Sequence, residues 1–166
     1  MGRQGTYINV NEVMILTDEE QVRNFGLSSE PVLSEEINDL RSTLEKELES
    51  SGKSGIPGIG LACPQIGIAK KMAIIRIKFN SFYFYADLVN PIIEEKYDLS
   101  IFDGEGCLSF PGLSGRTQRY QEIKVLNILG FPKKFIATGL TAVCIQHEID
   151  HLNGIVLPDI LKTSSR

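Results

Sequence analysis

The stretch Gly139-Leu140-Thr141-Ala142-Val143-Cys144-Ile145-Gln146-His147-Glu148-Ile149-Asp150-His151-Leu152 decides how the rest of this 166-residue chain is read. It has no period-two alternation and is long enough for about four helical turns. Leu140, Val143, Cys144, His147, Glu148 and His151 fall at i, i+3, i+4, i+7, i+8 and i+11 and share one stripe of a helix. Ile145, Ile149 and Leu152 make another side apolar, and a helix that is hydrophobic nearly all round is a buried one. Two imidazoles and a carboxylate are thereby predicted to point into the protein, where they are costly to desolvate without partners. Asn153-Gly154 supplies the stop.

His147 and His151, four apart, can direct ring nitrogens at one point, with Glu148 beside that point as a general base. The chain has only two His, and both are in this HExxH pattern. Two His placed at random fall four apart in about one placement in a hundred, so the pattern points to a metal. A catalytic ion needs a third protein ligand and an open position. The fifteen residues after His151 hold one acid, Asp159, and no His, so that ligand is expected from upstream. Glu105-Gly106-Cys107-Leu108-Ser109 is a source, although taken alone it reads as a strand with a buried thiol.

Working outward, residues 34–51 carry Ile37, Leu40, Leu44 and Leu48 at helical spacing, with Ser34 as N-cap and Glu35 and Glu36 in the first turn. Gly52, Gly55, Pro57, Gly58 and Gly60 end that helix and open a loop. Short β-type runs follow at 71–78, 82–89, 92–97, 99–102, 122–129 and 134–138. Strands in succession without intervening helices predict antiparallel or mixed sheets. The fold class is α+β: a long N-terminal helix, small sheets, and a buried C-terminal helix carrying the metal motif. The length and the absence of a long Pro-, Gly- or Ser-rich linker predict a single domain over residues 1–166.

Seventeen Lys and Arg against 21 Asp and Glu give a net charge of -4, which leaves no footprint for nucleic acid. No apolar run approaches the roughly 18 residues that span a bilayer, and the start lacks the apolar core of a signal peptide. Three Cys, at 63, 107 and 144, form no short CxxC pair and suit free thiols in a reducing cytoplasm.

Three motifs then come together: Gly58-Ile59-Gly60-Leu61-Ala62-Cys63-Pro64-Gln65, Glu105-Gly106-Cys107-Leu108-Ser109, and Gln146-His147-Glu148-Ile149-Asp150-His151-Leu152-Asn153-Gly154. In this order the chain resembles the peptide deformylases over roughly residues 15–161. The resemblance implies removal of the formyl group from N-terminal formylmethionine of new polypeptides, with release of formate. It implies Cys107, His147 and His151 as ligands of one divalent metal, usually iron(II), with zinc or nickel as substitutes. It makes Glu148 the base that deprotonates water and then the acid that protonates the departing amine. The side-chain amide of Gln65 and the backbone N–H of Leu108 become the oxyanion donors. Ile59 and Gly60 take the peptide as an added strand, and Leu140, Val143 and Cys144 line the methionine pocket. Glu105 pairs with Arg119 to hold the Cys107 strand; an exposed, unpaired Arg119 would undo that idea.

Three departures stand out. Cys63 replaces a more usual Ala and is either a spectator or an oxidation liability. Ser114 stands where some bacterial members have an Arg that assists peptide contacts. Only twelve residues follow Gly154, so the C-terminal helix that helps many members dock on the ribosome is expected to be missing, and ribosome association with it. Such short forms resemble those encoded by some bacteriophages, with organellar or bacterial origins also open. The chain is read as a monomeric cytoplasmic enzyme with no nucleic-acid or membrane partner. The competing readings are an HExxH metallopeptidase, which leaves Cys107 and Gln65 without roles, and an inactive deformylase-like binding protein, for which Glu148 and Gln65 have no use.

Overall fold

The apolar-rich runs Met72–Phe79 and Phe82–Val89 fold back on one another, pairing from Met72 with Val89 to Phe79 with Phe82. The computed structural model describes residues 13–52, 59–79 and 81–164; the N-terminal start and Gly58 lie outside them. With β1 (Gly60–Ala62), β2 (Met72–Phe79) and β3 (Phe82–Val89) the first antiparallel sheet has the order β1-β2-β3. A second has the order β4-β5-β6, from β4 (Pro91–Gly106), β5 (Ser114–Asn127) and β6 (Lys134–Thr138).

The period of two sends the side chains of β2 into two different cores. Met72 and Ile74 join Leu40, Leu44 and Leu48 of α2 (Ile37–Ser51). Ala73, Ile75 and Ile77 meet Ile123 and Val125 of β5 and Ala142, Ile145 and Leu152 of α3 (Gly139–Leu152). The first sheet therefore lies between α2 and α3. Each fully buried Leu or Ile in these clusters contributes about 1.5–3 kcal/mol. Gln146 ties α3 to β5 by accepting from Tyr120 N at 3.0 Å and donating to Tyr120 O at 2.8 Å, as a neighbouring strand would. The stop at Asn153-Gly154 is present, with Gly154 at φ 77 and its N–H on His151 O at 3.2 Å.

The structure departs from expectation in several places. Ser34 caps nothing: residues Ser34–Glu36 form a 3-10 turn before α2, and the Leu33 N–H is satisfied by Glu36 Oε1 at 2.9 Å. The runs 92–97 and 99–102 are one strand: Asp98 takes φ 61 within it, yet the pairing with β5 keeps its register across that residue, with Tyr97 opposite Glu122 and Leu99 opposite Tyr120, and shifts only between Ile93 and Glu95 and between Phe102 and Glu105. Helix α1 (Glu19–Leu27), capped by Asp18 on Gln21 N, was not expected. Nor was a helix after Gly154, yet α4 (Leu157–Ser164) forms there, packing Leu161 over Gly115 of β5 and pairing Asp159 with Arg23 of α1. No described helix is long and apolar enough to cross a membrane.

Candidate active site

Two elements bring the three ligand candidates together. His147 and His151 project from one side of the buried helix α3, and Cys107 follows the last residue of β4, whose end is fixed by pairing Gly106 with Ser114. The Nε2 atoms of the two His lie 3.1 Å apart, and Cys107 Sγ lies 3.3 Å from His151 Nε2. All three donor atoms fall within 4.8 Å of one another.

The donor chemistry fits a divalent cation. His147 Nδ1 meets Glu105 Oε2 at 2.7 Å, and an Nδ1–H donated there leaves Nε2 with a lone pair. Two imidazole nitrogens and a sulfur converge in a buried place, a donor set that a divalent cation would satisfy. Bonds of about 2.0–2.3 Å in a tetrahedral arrangement put such donors roughly 3.3–3.6 Å apart, close to the 3.1 and 3.3 Å that separate His151 Nε2 from the other two.

Glu105 carries the ligand side from behind. It accepts from Arg119 Nε at 2.9 Å, Arg119 Nη2 at 2.5 Å and Thr117 Oγ1 at 2.6 Å, and Arg119 Nη1 also donates to Asp150 at 2.7 Å. Arg119 is only 6% exposed, so the expected pair is present and buried. Burial alone would raise the Glu105 carboxyl, but the hydrogen bonds from Arg119 and His147 outweigh it and hold it well below the usual carboxylate range.

Glu148 sits beside the three donors. It is buried, its Oε1 has no hydrogen-bond partner, and burial pushes its carboxyl up to about 7 against the pull of His147. A carboxyl poised there can both take and return a proton near neutrality. Gly60 makes this possible, since a Cβ on it would lie 2.6 Å from Glu148 Oε2. Gln65, on the 3-10 turn Cys63–Ile66, turns its amide toward Cys107 Sγ at 3.4 Å.

A cavity of about 600 Å³ opens over this cluster. Its lining holds every residue expected at the substrate, namely Ile59, Gly60, Leu140, Val143 and Cys144, with Gln65, Leu108, Cys107, His147 and Glu148 at its floor. Arg119 and His151 lie behind it. Phe102, Phe110 and Leu113 extend the apolar wall and had no place in the expectations; nor had Thr117, Asp150 or Gln146. Asp150 could have been found, because it lies three residues after His147 and so on a neighbouring side of the same helix. Cys63 is a spectator: it is fully buried among Leu61, Met72 and Ile74, and burial drives its thiol above the ordinary range.

An HExxH helix completed by an upstream cysteine, with a buried carboxyl facing an apolar cleft, defines a metal-dependent amide hydrolase. The polypeptide deformylase family model matches residues 8–166, and this chain belongs to that family. A peptide deformylase of Desulfitobacterium hafniense is 40% identical over 111 residues, 66% of this chain and 71% of that one. The crystal structure of a probable peptide deformylase from Synechococcus phage S-SSM7 superposes with a TM-score of 0.74 at 34% identity, covering 89% of this chain and 99% of that one. A Met-Ala-Ser-bound class I type b peptide deformylase from Acinetobacter baumannii superposes at 0.70 with 27% identity, over 90% and 99% of the two chains.

Proposed function

We propose that this chain hydrolyses the formyl amide of N-terminal formylmethionine with Glu148 as its proton carrier, Gln65 and Leu108 as its oxyanion donors and Cys107, His147 and His151 as its metal ligands. The observation that carries this is the convergence of the three donor atoms beside a buried, unpartnered Glu148 oxygen at the floor of an apolar cavity.

The thiolate and two imidazoles suit iron(II), zinc and nickel alike, and the family resemblance favours iron(II). A bound divalent ion supplies two things: a water acidified toward neutrality and a Lewis acid for the formyl oxygen. The residues do the rest. Glu148 takes a proton from the attacking water, and the new C–O bond places negative charge on the formyl oxygen. The Gln65 side-chain N–H and the Leu108 backbone N–H donate to that oxygen. Glu148 then returns its proton to the departing nitrogen, the C–N bond breaks, and formate and a free α-amine result. Among the described residues strand β1 is at the edge of its sheet, which offers a rim beside Ile59 and Gly60 to an extended peptide. Leu140, Val143 and Cys144 offer the methionine side chain an apolar wall.

The test is an anaerobic assay on formyl-Met-Ala-Ser, with metal content measured on the same sample. One formate per free amine and one ion per chain are expected, and Glu148→Ala should lower kcat by about 10²–10⁴ while keeping the ion. Cleavage of unblocked peptides without formate, or an unaltered rate in Glu148→Ala, would overturn the assignment.

A further inference from the structure

The quoted motif that ends in Ser109 gave that residue no task, yet its side chain is fully buried and touches the site. Gln65 is 1% exposed and Ser109 0%. The Gln65 carboxamide is held at both ends: Oε1 accepts from Ala62 N at 2.9 Å, and Nε2 donates to Ser109 Oγ at 3.1 Å. The Ala62 N–H can only be satisfied by an oxygen, so the amide cannot be turned end for end. One of its two N–H bonds goes to the Ser109 hydroxyl. The other faces Cys107 Sγ at 3.4 Å, an ordinary separation for sulfur but a weak acceptor from which an oxyanion could draw it.

We propose that Ser109 is a positioning residue that holds the Gln65 amide so that its second N–H stays aimed where the formyl oxygen becomes negative. Ser109 is two residues beyond Cys107, in a turn closed by Phe110 N on Cys107 O at 3.0 Å. That turn carries a metal ligand, the Leu108 N–H and this anchor in three consecutive residues. Gln65 belongs to the segment after β1, in the other sheet. The Ser109 hydrogen bond therefore ties the two oxyanion donors, one from each sheet, into a single fixed pair. Without it the amide is held at one end and can swing, so preorganisation is lost although the donor is still present.

The inference rests on Gln65 being an oxyanion donor, and a double-mutant cycle on the metal-loaded enzyme with formyl-Met-Ala-Ser separates the two ideas. Ser109→Ala should lower kcat about ten-fold or more with KM and metal content unchanged. The same change made in Gln65→Ala should cost nothing further, because a residue that acts through Gln65 has nothing left to position. A merely structural Ser109 would lower the rate in both backgrounds. Should Ser109→Ala fold poorly by circular dichroism, Ser109→Cys, closer in volume and a weaker acceptor, should give the same coupling with smaller amplitude. A parental kcat in Ser109→Ala, or an equal loss in both backgrounds, overturns the proposal while leaving Gln65 in its role. A parental kcat in Gln65→Ala overturns both.

Discussion

A single missing methyl decides where the Glu148 carboxyl stands. Glu148 is buried with one oxygen unpartnered, and its other oxygen occupies the space that a Cβ on residue 60 would need. The cavity wall thus depends on Gly60 for two reasons: a peptide backbone can approach it, and the carboxyl of Glu148 can fit behind it. A contact at 2.6 Å is far inside van der Waals range, so something must shift. What gives is the end of a side chain rather than backbone, and the fold should survive. Gly60→Ala should therefore lower kcat on a formyl-Met peptide by about ten-fold or more, since misplacing a catalytic group by about 1 Å is enough for such a loss. Metal content and unfolding midpoint should stay near the parent values. A parental rate in Gly60→Ala would show that the carboxyl has no need to stand there.

At the scale of elements, α3 must be set to within a fraction of an ångström, and its neighbour α1 helps to do it. Gly26 of α1 faces the C-terminal end of α3: a Cβ there would lie 2.2 Å from the His151 carbonyl oxygen and 2.7 Å from the Gly154 backbone. Gly to Ala within a helix ordinarily stabilises by about 1 kcal/mol. Here backbone meets backbone, and overpacking costs about 1–3 kcal/mol, so the clash wins. Gly26→Ala should lower the urea midpoint and loosen the metal, whereas Gly52→Ala, in the helical region with nothing within 4 Å, should hold or raise the midpoint and leave the metal unchanged. Equal stability of the two variants would refute the crossing described. Elements whose period is strong were readable from sequence: α3, β2, β3 and β6 stand within about a residue of expectation. Those set by tertiary contact were not. Strand β1 has three residues, too few for a period, and α1 is made mostly of polar residues around Val22. The continuity of β4 was hidden because Asp98 looks like a turn, yet the pairing with β5 runs on in register across it. The same division holds in the site. The His pair lies on one helix and announces itself, while Cys107, 44 residues away from His151, was recognised only through its motif. Ser109 belongs to that motif, but its hydroxyl meets Gln65 only through the fold, 44 residues away in sequence.

Across the whole molecule the three cysteines report on fold and site together. Cys63 is sealed in the core between α2 and the first sheet, and Cys144 is on the cavity wall at 8% exposure. Burial pushes Cys144 up to about 12 and Cys63 above the ordinary thiol range. At neutral pH a thiol with a pKa near 12 is ionised to roughly one part in 10⁵, and the thiolate is the nucleophile. Both should be almost inert toward a disulfide reagent while the chain is folded. Cys107 is partly exposed at the cavity floor, and an ion held there as proposed would shield it. Titration with a chromogenic disulfide should then proceed in three stages: almost no rapid reaction with metal bound, one thiol per chain after chelation, and three in denaturant. Cys107→Ser should abolish the middle stage and lower the final count to two. Rapid reaction of two or three thiols in the chelated, folded protein would mean that the cores around Cys63 and Cys144 are not closed as described. A middle stage unaffected by Cys107→Ser would remove that residue from the ligand set.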